Sequence, residues 1–163
     1  MSDSLIPAET RALVGRVEGE PFTAEVTATG AQRYAQAVGD LNPIYFDDEA
    51  ARAAGYRGMV APPTYVPYAL VRGRPLSETR EDGLFRGGSS LRLKVQRTMF
   101  GGEEWDFVAP VHVGDRITGT TRLAELDEKQ GSKGPFVRIT RETTFTNGDG
   151  EVVARTRSIG IAR

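Results

Sequence analysis

Cysteine is absent from all 163 residues, so neither a disulfide nor a thiolate-held metal belongs in this chain. A single histidine, His112, is too few for a histidine-rich metal centre. Lysine occurs only at 94, 129 and 133; the other basic residues are arginine. Basic and acidic residues nearly balance, 21 against 22, for a formal net charge of -1. That balance gives no global electrostatic case for a nucleic-acid partner or an anionic membrane surface. Long hydrophobic runs are also missing. The most apolar window, Met59 to Val71, is broken by Pro62, Pro63 and Pro67, and is shorter than the roughly 20 residues that cross a bilayer. The opening MSDSLIPAET lacks the basic and apolar regions of a signal peptide. A cytoplasmic location with no membrane partner is the expectation left by elimination.

At 39% hydrophobic and 26% charged, the chain has the composition of a soluble globular protein with a core of useful size. We read residues 1–12 as a polar lead-in and 13–163 as one domain. Phe22 to Thr27 alternates like a strand. Thr29 is placed to cap a helix over 31–38, with Tyr34, Ala37 and Val38 as its apolar face and Gly39 as its stop. Asp47 caps a second helix over Asp48–Ala54, which Gly55 ends. After Thr64 comes the segment expected to be the buried helix, with Pro67 tolerated in its first turn. Arg74 to Gly88 is a charged, glycine-rich excursion. Its Arg74, Arg80 and Arg86, with Arg72, are read as a solvated basic set, the alternative being contact with phosphates or an acidic carrier.

From Ser90 onward the pattern is β. Leu91, Leu93 and Val95 alternate with polar residues, Gly101-Gly102 reads as a turn, and Glu104–Val108 reads as a short strand. Three longer strands follow at about 116–126, 136–146 and 151–161. Asp127 to Gly134 is read as a charged connection, and Asn147-Gly148-Asp149-Gly150 as a hairpin turn. Helices followed by an antiparallel meander make the class α+β, one sheet packed on one helix.

Four motifs occur in order: Gly39-Asp40-Leu41-Asn42-Pro43-Ile44-Tyr45-Phe46-Asp47; Gly55-Tyr56-Arg57-Gly58; Ala61-Pro62-Pro63-Thr64; and Pro110-Val111-His112-Val113-Gly114-Asp115-Arg116-Ile117. Together they resemble the MaoC-like hot-dog family, in its FAS1-like dehydratase N-terminal branch, over about residues 12–162. The resemblance implies a hot-dog fold, an antiparallel sheet wrapped around a central helix. It implies units paired edge to edge, as a homodimer or as a heterodimer with a second MaoC-like subunit. The implied ligands are acyl-CoA or acyl-carrier-protein thioesters, with no cofactor and no metal. The implied reaction is reversible addition of water to a trans-2-enoyl thioester, giving the (R)-3-hydroxyacyl product.

That chemistry needs a base for the water proton, an acid for the α-carbon and donors aimed at the thioester oxygen. In the family an Asp and a His, five positions apart, hold the water. Here Asp40 matches the Asp, Asn42 and Pro43 match their positions, and Tyr45 stands where the His is expected. A phenol with a pKa near 10 is a poor base at neutral pH. The family's Ala-His-Gly donor motif falls on Ala61-Pro62-Pro63, and Pro63 has no N–H to give; Thr64 can supply one, displaced by a residue. The candidate catalytic residues are therefore Asp40 and Tyr45, and the candidate substrate-binding residues are Asn42, Pro63 and Thr64. Each has a bland counterpart: Asp40 as a turn former, Asn42 as a loop brace, Tyr45 as a packed ring, Thr64 as a helix cap. His112 lies on the strand-opening motif rather than the loop. Three readings stand: the acyl-binding half of a heterodimer whose partner carries the Asp/His pair, a self-sufficient hydratase using Asp40 and Tyr45, and a non-enzymatic acyl-CoA-binding module.

Overall fold

Antiparallel pairing organises the molecule. The computed structural model describes residues 4–70, 76–79, 81, 91–95 and 97–163. Five strands, β1 (Phe22–Glu25), β2 (Thr98–Phe107), β3 (Arg116–Gly131), β4 (Gly134–Thr146) and β5 (Val152–Ala162), form one sheet in the order β1-β3-β4-β5-β2. Every pairing is antiparallel. Four short helices accompany it: α1 (Ala8–Arg11), α2 (Ala28–Val38), α3 (Asp48–Ala53) and α4 (Tyr65–Ala69). This is the α+β class expected, with β2 and the four-residue β1 as the sheet's two edges.

Three β-bulges shape the sheet. Ala124 of β3, Gly101 of β2 and Val153 of β5 each stand without an opposite number in the ladder. Gly101-Gly102 is therefore a bulge inside a ten-residue strand and not a turn. The Asp127–Gly134 stretch, expected as a charged connection, is mostly ladder, and only Ser132 and Lys133 lie between β3 and β4. The reason is cross-strand: Asp127 stands opposite Arg138 and accepts its guanidinium at 2.6 Å, so charges that suggested a loop satisfy each other across the sheet. The Asn147–Gly150 turn is as expected, with the Asn147 side chain accepting from the amides of Asp149 and Glu151.

The core has three parts. Under α2 and α4, Val26, Ala31, Tyr65, Val66, Leu70, Ile117, Phe145 and Val153 pack together. At the far end of the sheet, Leu123, Leu126, Val137 and Ile139 pack with Ile6 and Leu91. A smaller cluster holds Ala35, Tyr45 and Val60. Two expectations shift here. The helix α2 is capped by Thr27, whose side chain accepts from the Gly30 amide, rather than by Thr29. It buries Ala31 and Ala35, while Val38 is exposed. Small side chains at i and i+4 let the helix approach its neighbours, which a search for large apolar residues overlooks.

The segment α4 buries Tyr65 and Val66 but leaves Tyr68 57% exposed, so it is not buried all round. Its expected continuation to Gly73 lies outside the described residues, as do Arg72, Arg74, Arg80 and Arg86. Leu91 to Val95 alternates in burial but belongs to none of the five strands; Leu91, Leu93 and Val95 cover the far cluster. From residue 4 on, the lead-in is docked on the far cluster. Ile6 and Thr10 are buried, the Thr10 hydroxyl donates to the Arg92 carbonyl at 2.6 Å, and the Lys94 amide donates to Leu5. Ile6→Ala is therefore expected to cost about 2 kcal/mol or more in denaturant unfolding, while Glu9→Ala, on the exposed side of α1, leaves the midpoint in place.

Candidate functional site

The loop after α2 is built by its own short-range hydrogen bonds. Gly39 takes φ 76, a left-handed turn that glycine adopts without strain, and α2 stops there. The Asp40 amide donates back to Ala35 at 2.9 Å, and the Asp40 carboxylate accepts from the Asn42 amide at 3.3 Å. The Asn42 side chain accepts from the Ile44 amide at 3.2 Å and caps the single 3-10 turn Pro43–Tyr45. Pro43 sits at the start of that turn, where a missing N–H costs nothing. The result is that Tyr45 points inward and is only 7% exposed, against Ala35 and Val60.

A second segment is pinned beside it. Val60 bridges His112, the Ala61 amide donates to Val111 at 2.8 Å, and the Val113 amide donates to Met59 at 3.0 Å. Arg57 forms an ion pair with Asp115, whose other oxygen accepts from the His112 amide at 2.9 Å. Between this pinned segment, the Tyr45 turn and the end of β2 lies a cleft of about 290 Å³. Tyr45, Tyr56, Val60 and Pro63 form one side, Phe107 to Val111 the other, and Val66 and Val153 also line it.

The chemistry of this cleft is mostly apolar, with the two phenols Tyr45 and Tyr56 as its hydroxyl groups. Burial raises the Tyr45 phenol above its ordinary value, and the nearby Asp40 adds to this through its charge and through a hydrogen bond accepted from the phenol. At neutral pH the Tyr45 hydroxyl is therefore protonated. The amides at the start of α4 are largely committed. Pro62 and Pro63 have none, and those of Tyr65 and Val66 turn back to the carbonyls of Pro62 and Pro63.

Of the residues singled out from the sequence, Tyr45 and Pro63 line the cleft, and Asp40 meets it through Tyr45. Asn42 is exposed and braces the turn. Thr64 is exposed, lies off the lining, and makes no side-chain cap bond although it occupies the cap position of α4. His112 also lies off this lining. It faces a separate hollow with Asp48, Arg52, Arg57 and Met59, its ring 6.3 Å from that of Tyr56. Its Nε2 is buried with no hydrogen-bond partner among the described residues. Burial and then Arg57 hold its pKa below the ordinary value, against a smaller opposing pull from Asp115.

Sequence reasoning missed Tyr56, Phe107, Val108 and Val153 as lining residues. The apolar run Phe107–Pro110, directly before the fourth motif, was a usable signal. Val153 had none, because only the ladder shows that it bulges. No cluster of histidine, aspartate or glutamate fit to hold a metal occurs among the described residues, nor any helix long and apolar enough to cross a membrane.

Comparison with known proteins agrees with this frame. The profile of the family described as "FAS1-like, dehydratase domain region" matches residues 12–156. A UPF0336 protein of Streptomyces griseus is 31% identical over 152 residues, 93% of this chain and 95% of that one. A probable enoyl-CoA hydratase alpha subunit of Thermomonospora curvata is 30% identical over 160 residues, covering 90% of this chain and 48% of that protein. Among solved structures, a chain of the ChsH1-ChsH2 complex from Mycobacterium tuberculosis superposes with a TM-score of 0.72 at 24% identity, covering 94% of this chain and 91% of that one. That likeness is one of fold, and the fold is the hot-dog.

The depressed pKa of His112 has a pH consequence. As pH falls, the unfolded chain takes up the proton first, so the stability due to a neutral, buried imidazole is complete above about pH 6.5 and is lost as pH falls toward the folded value. Urea midpoints are expected to drop between about pH 7 and pH 5, and His112→Gln to flatten the drop over that window.

Proposed function

The chain belongs to the FAS1-like dehydratase domain family of MaoC-like hydratases and dehydratases, and from that premise we propose that it is one subunit of an (R)-specific enoyl-thioester hydratase or 3-hydroxyacyl-thioester dehydratase. In this reading it holds the acyl group of an acyl-CoA or acyl-carrier-protein thioester in the cytoplasm, and a second MaoC-like subunit supplies the base. The observation that carries the reading is what lines the cleft. Tyr45, a phenol raised by burial and by Asp40, stands where a base is required, and Pro63, without an amide hydrogen, stands where an oxyanion donor is required. The chain's one imidazole is on the lining of another hollow.

The reaction makes the division of labour concrete. A base takes a proton from water as its oxygen bonds to the β-carbon. The double-bond electrons move toward the thioester oxygen, and the α-carbon then receives a proton. In the proposal Tyr45, its hydroxyl turned to Asp40, gives the acyl thioester a fixed aromatic surface to lie against, and the apolar side chains around it line the rest of the acyl site. The partner adds along β2, the sheet edge of ten residues, where Phe100 is 74% exposed and Met99, Phe107 and Val108 are also exposed. An open strand edge of this length with exposed apolar side chains at its two ends calls for cover. The strand ends at the cleft mouth, so a subunit paired there reaches the acyl group.

A second reading, a self-sufficient hydratase, draws on the Asp40–Tyr45 hydrogen bond, with Asp40 polarising water and Tyr45 as the acid. Hydration of a short trans-2-enoyl-CoA, followed by loss of enoyl absorbance, separates the two. The chain alone is expected to give no turnover. Co-expressed with a MaoC-like chain bearing an intact Asp/His loop, it is expected to turn over, with Tyr45→Phe lowering the rate by about tenfold or less and the partner's His essential. Robust turnover by the chain alone, lost on Asp40→Asn, favours the second reading and removes the first.

A further inference from the structure

The far end of the cleft is closed by side chains that the local backbone holds in place. Val153 is the bulged residue of β5: Phe145 of β4 pairs with Ala154 and Thr146 with Val152, so Val153 has no opposite number. A bulge re-aims the side chain it carries, and here Val153 is 1% exposed and lines the cleft. Its carbonyl accepts from both the Val108 and the Ala109 amides, at 2.9 and 3.2 Å, which ties the bulge to the opposite wall. Val66 of α4, equally buried, lines the cleft with it. The Phe107 wall is backed by a stack in which Trp105 lies 5.5 Å from Phe107 and 5.5 Å from Phe145, the rings nearly parallel.

Behind this floor the space between α4 and the sheet is filled. One turn beyond Val66, Leu70 packs toward Gly119 of β3, where a methyl group would already come within 3.2 to 3.4 Å of Phe22, Phe145 and Leu70.

We propose that Val66 and Val153 form a fixed floor that makes this chain selective for short acyl thioesters, with about four to six carbons in the acyl group. The inference rests on the acyl-thioester reading above and adds the size of the substrate. The cleft, about 290 Å³, is small. The thioester and the arm that carries it take part of that space, and a short acyl chain fills the rest.

Calorimetric titration of the purified chain with saturated acyl-CoAs from acetyl to dodecanoyl tests this. Affinity is expected to rise about fourfold per added methylene, as for ordinary apolar burial, and then to stop rising at about hexanoyl. In Val66→Ala or Val153→Ala the break moves to longer chains by about two carbons. In Val66→Ile, which adds a methylene and keeps the buried apolar character, it moves to shorter ones. Near-ultraviolet circular dichroism of each variant confirms native packing before titration. An affinity that climbs steadily to dodecanoyl in the unmodified chain overturns the floor and leaves the acyl-thioester reading intact. So does a break that neither truncation nor Val66→Ile moves. Absence of binding at every chain length overturns both.

Discussion

The short pairing of residues 59–61 with 111–113 is the constraint on which the rest of the site depends. It consists of one bridge, two backbone hydrogen bonds and the Arg57–Asp115 ion pair. Each hydrogen bond is worth only about 1 kcal/mol net. Their geometric effect is larger than that figure suggests. They join the loop leading into α4 to the segment leading into β3, so the helix and the sheet meet at a set distance. The cleft is the gap left between them. Asp48 reinforces the arrangement from the other side, accepting from the Met59 amide at 3.1 Å while pairing with Arg52 at 2.6 Å. The hollow containing His112 lies on that reinforced side, so the imidazole is part of the brace.

The cleft that results is lined by apolar side chains and has one polarised corner. In that corner the exposed Asp40 carboxylate lies beside the buried Tyr45 phenol. The phenol stays protonated at neutral pH, since its surroundings oppose ionisation. Burial, a neighbouring negative charge and a hydrogen bond to the neutral form all act in one direction. The prolines at 62 and 63 leave two positions before α4 without an amide hydrogen.

Much of the fold was legible in the sequence where a local rule decides it. Gly39 as helix stop, Asp47 as cap and the Asn147–Gly150 turn depend on neighbours a few residues away, and each stands as read. What escaped depends on partners distant in the chain. The bulges at Gly101, Ala124 and Val153 exist only relative to the facing strand. Leu91–Val95 carries the alternation of a strand because one face of it meets the far core, yet its backbone bonds go elsewhere, the Lys94 amide to Leu5. At the site, the sequence marked Tyr45 and Pro63, which do line the cleft. It did not mark the opposite wall, because Phe107 and Val153 become neighbours of Tyr45 only when the sheet is assembled.

The bulge in β3 bears on how the chain can drift in length. Ala124 faces no residue of β4; Leu123 pairs with Arg141 and Glu125 with Thr140 on either side of it. The strand therefore carries one residue more than its partner needs. Losing Ala124 would let Leu123 and Glu125 join without moving any other pair, and Leu126 would stay opposite Ile139. Losing Asp127 instead would slide every later residue of the strand by one and turn its side chains to the wrong face. A deletion of the same size is thus a small edit at one position and a frameshift of the surface at another, three residues away.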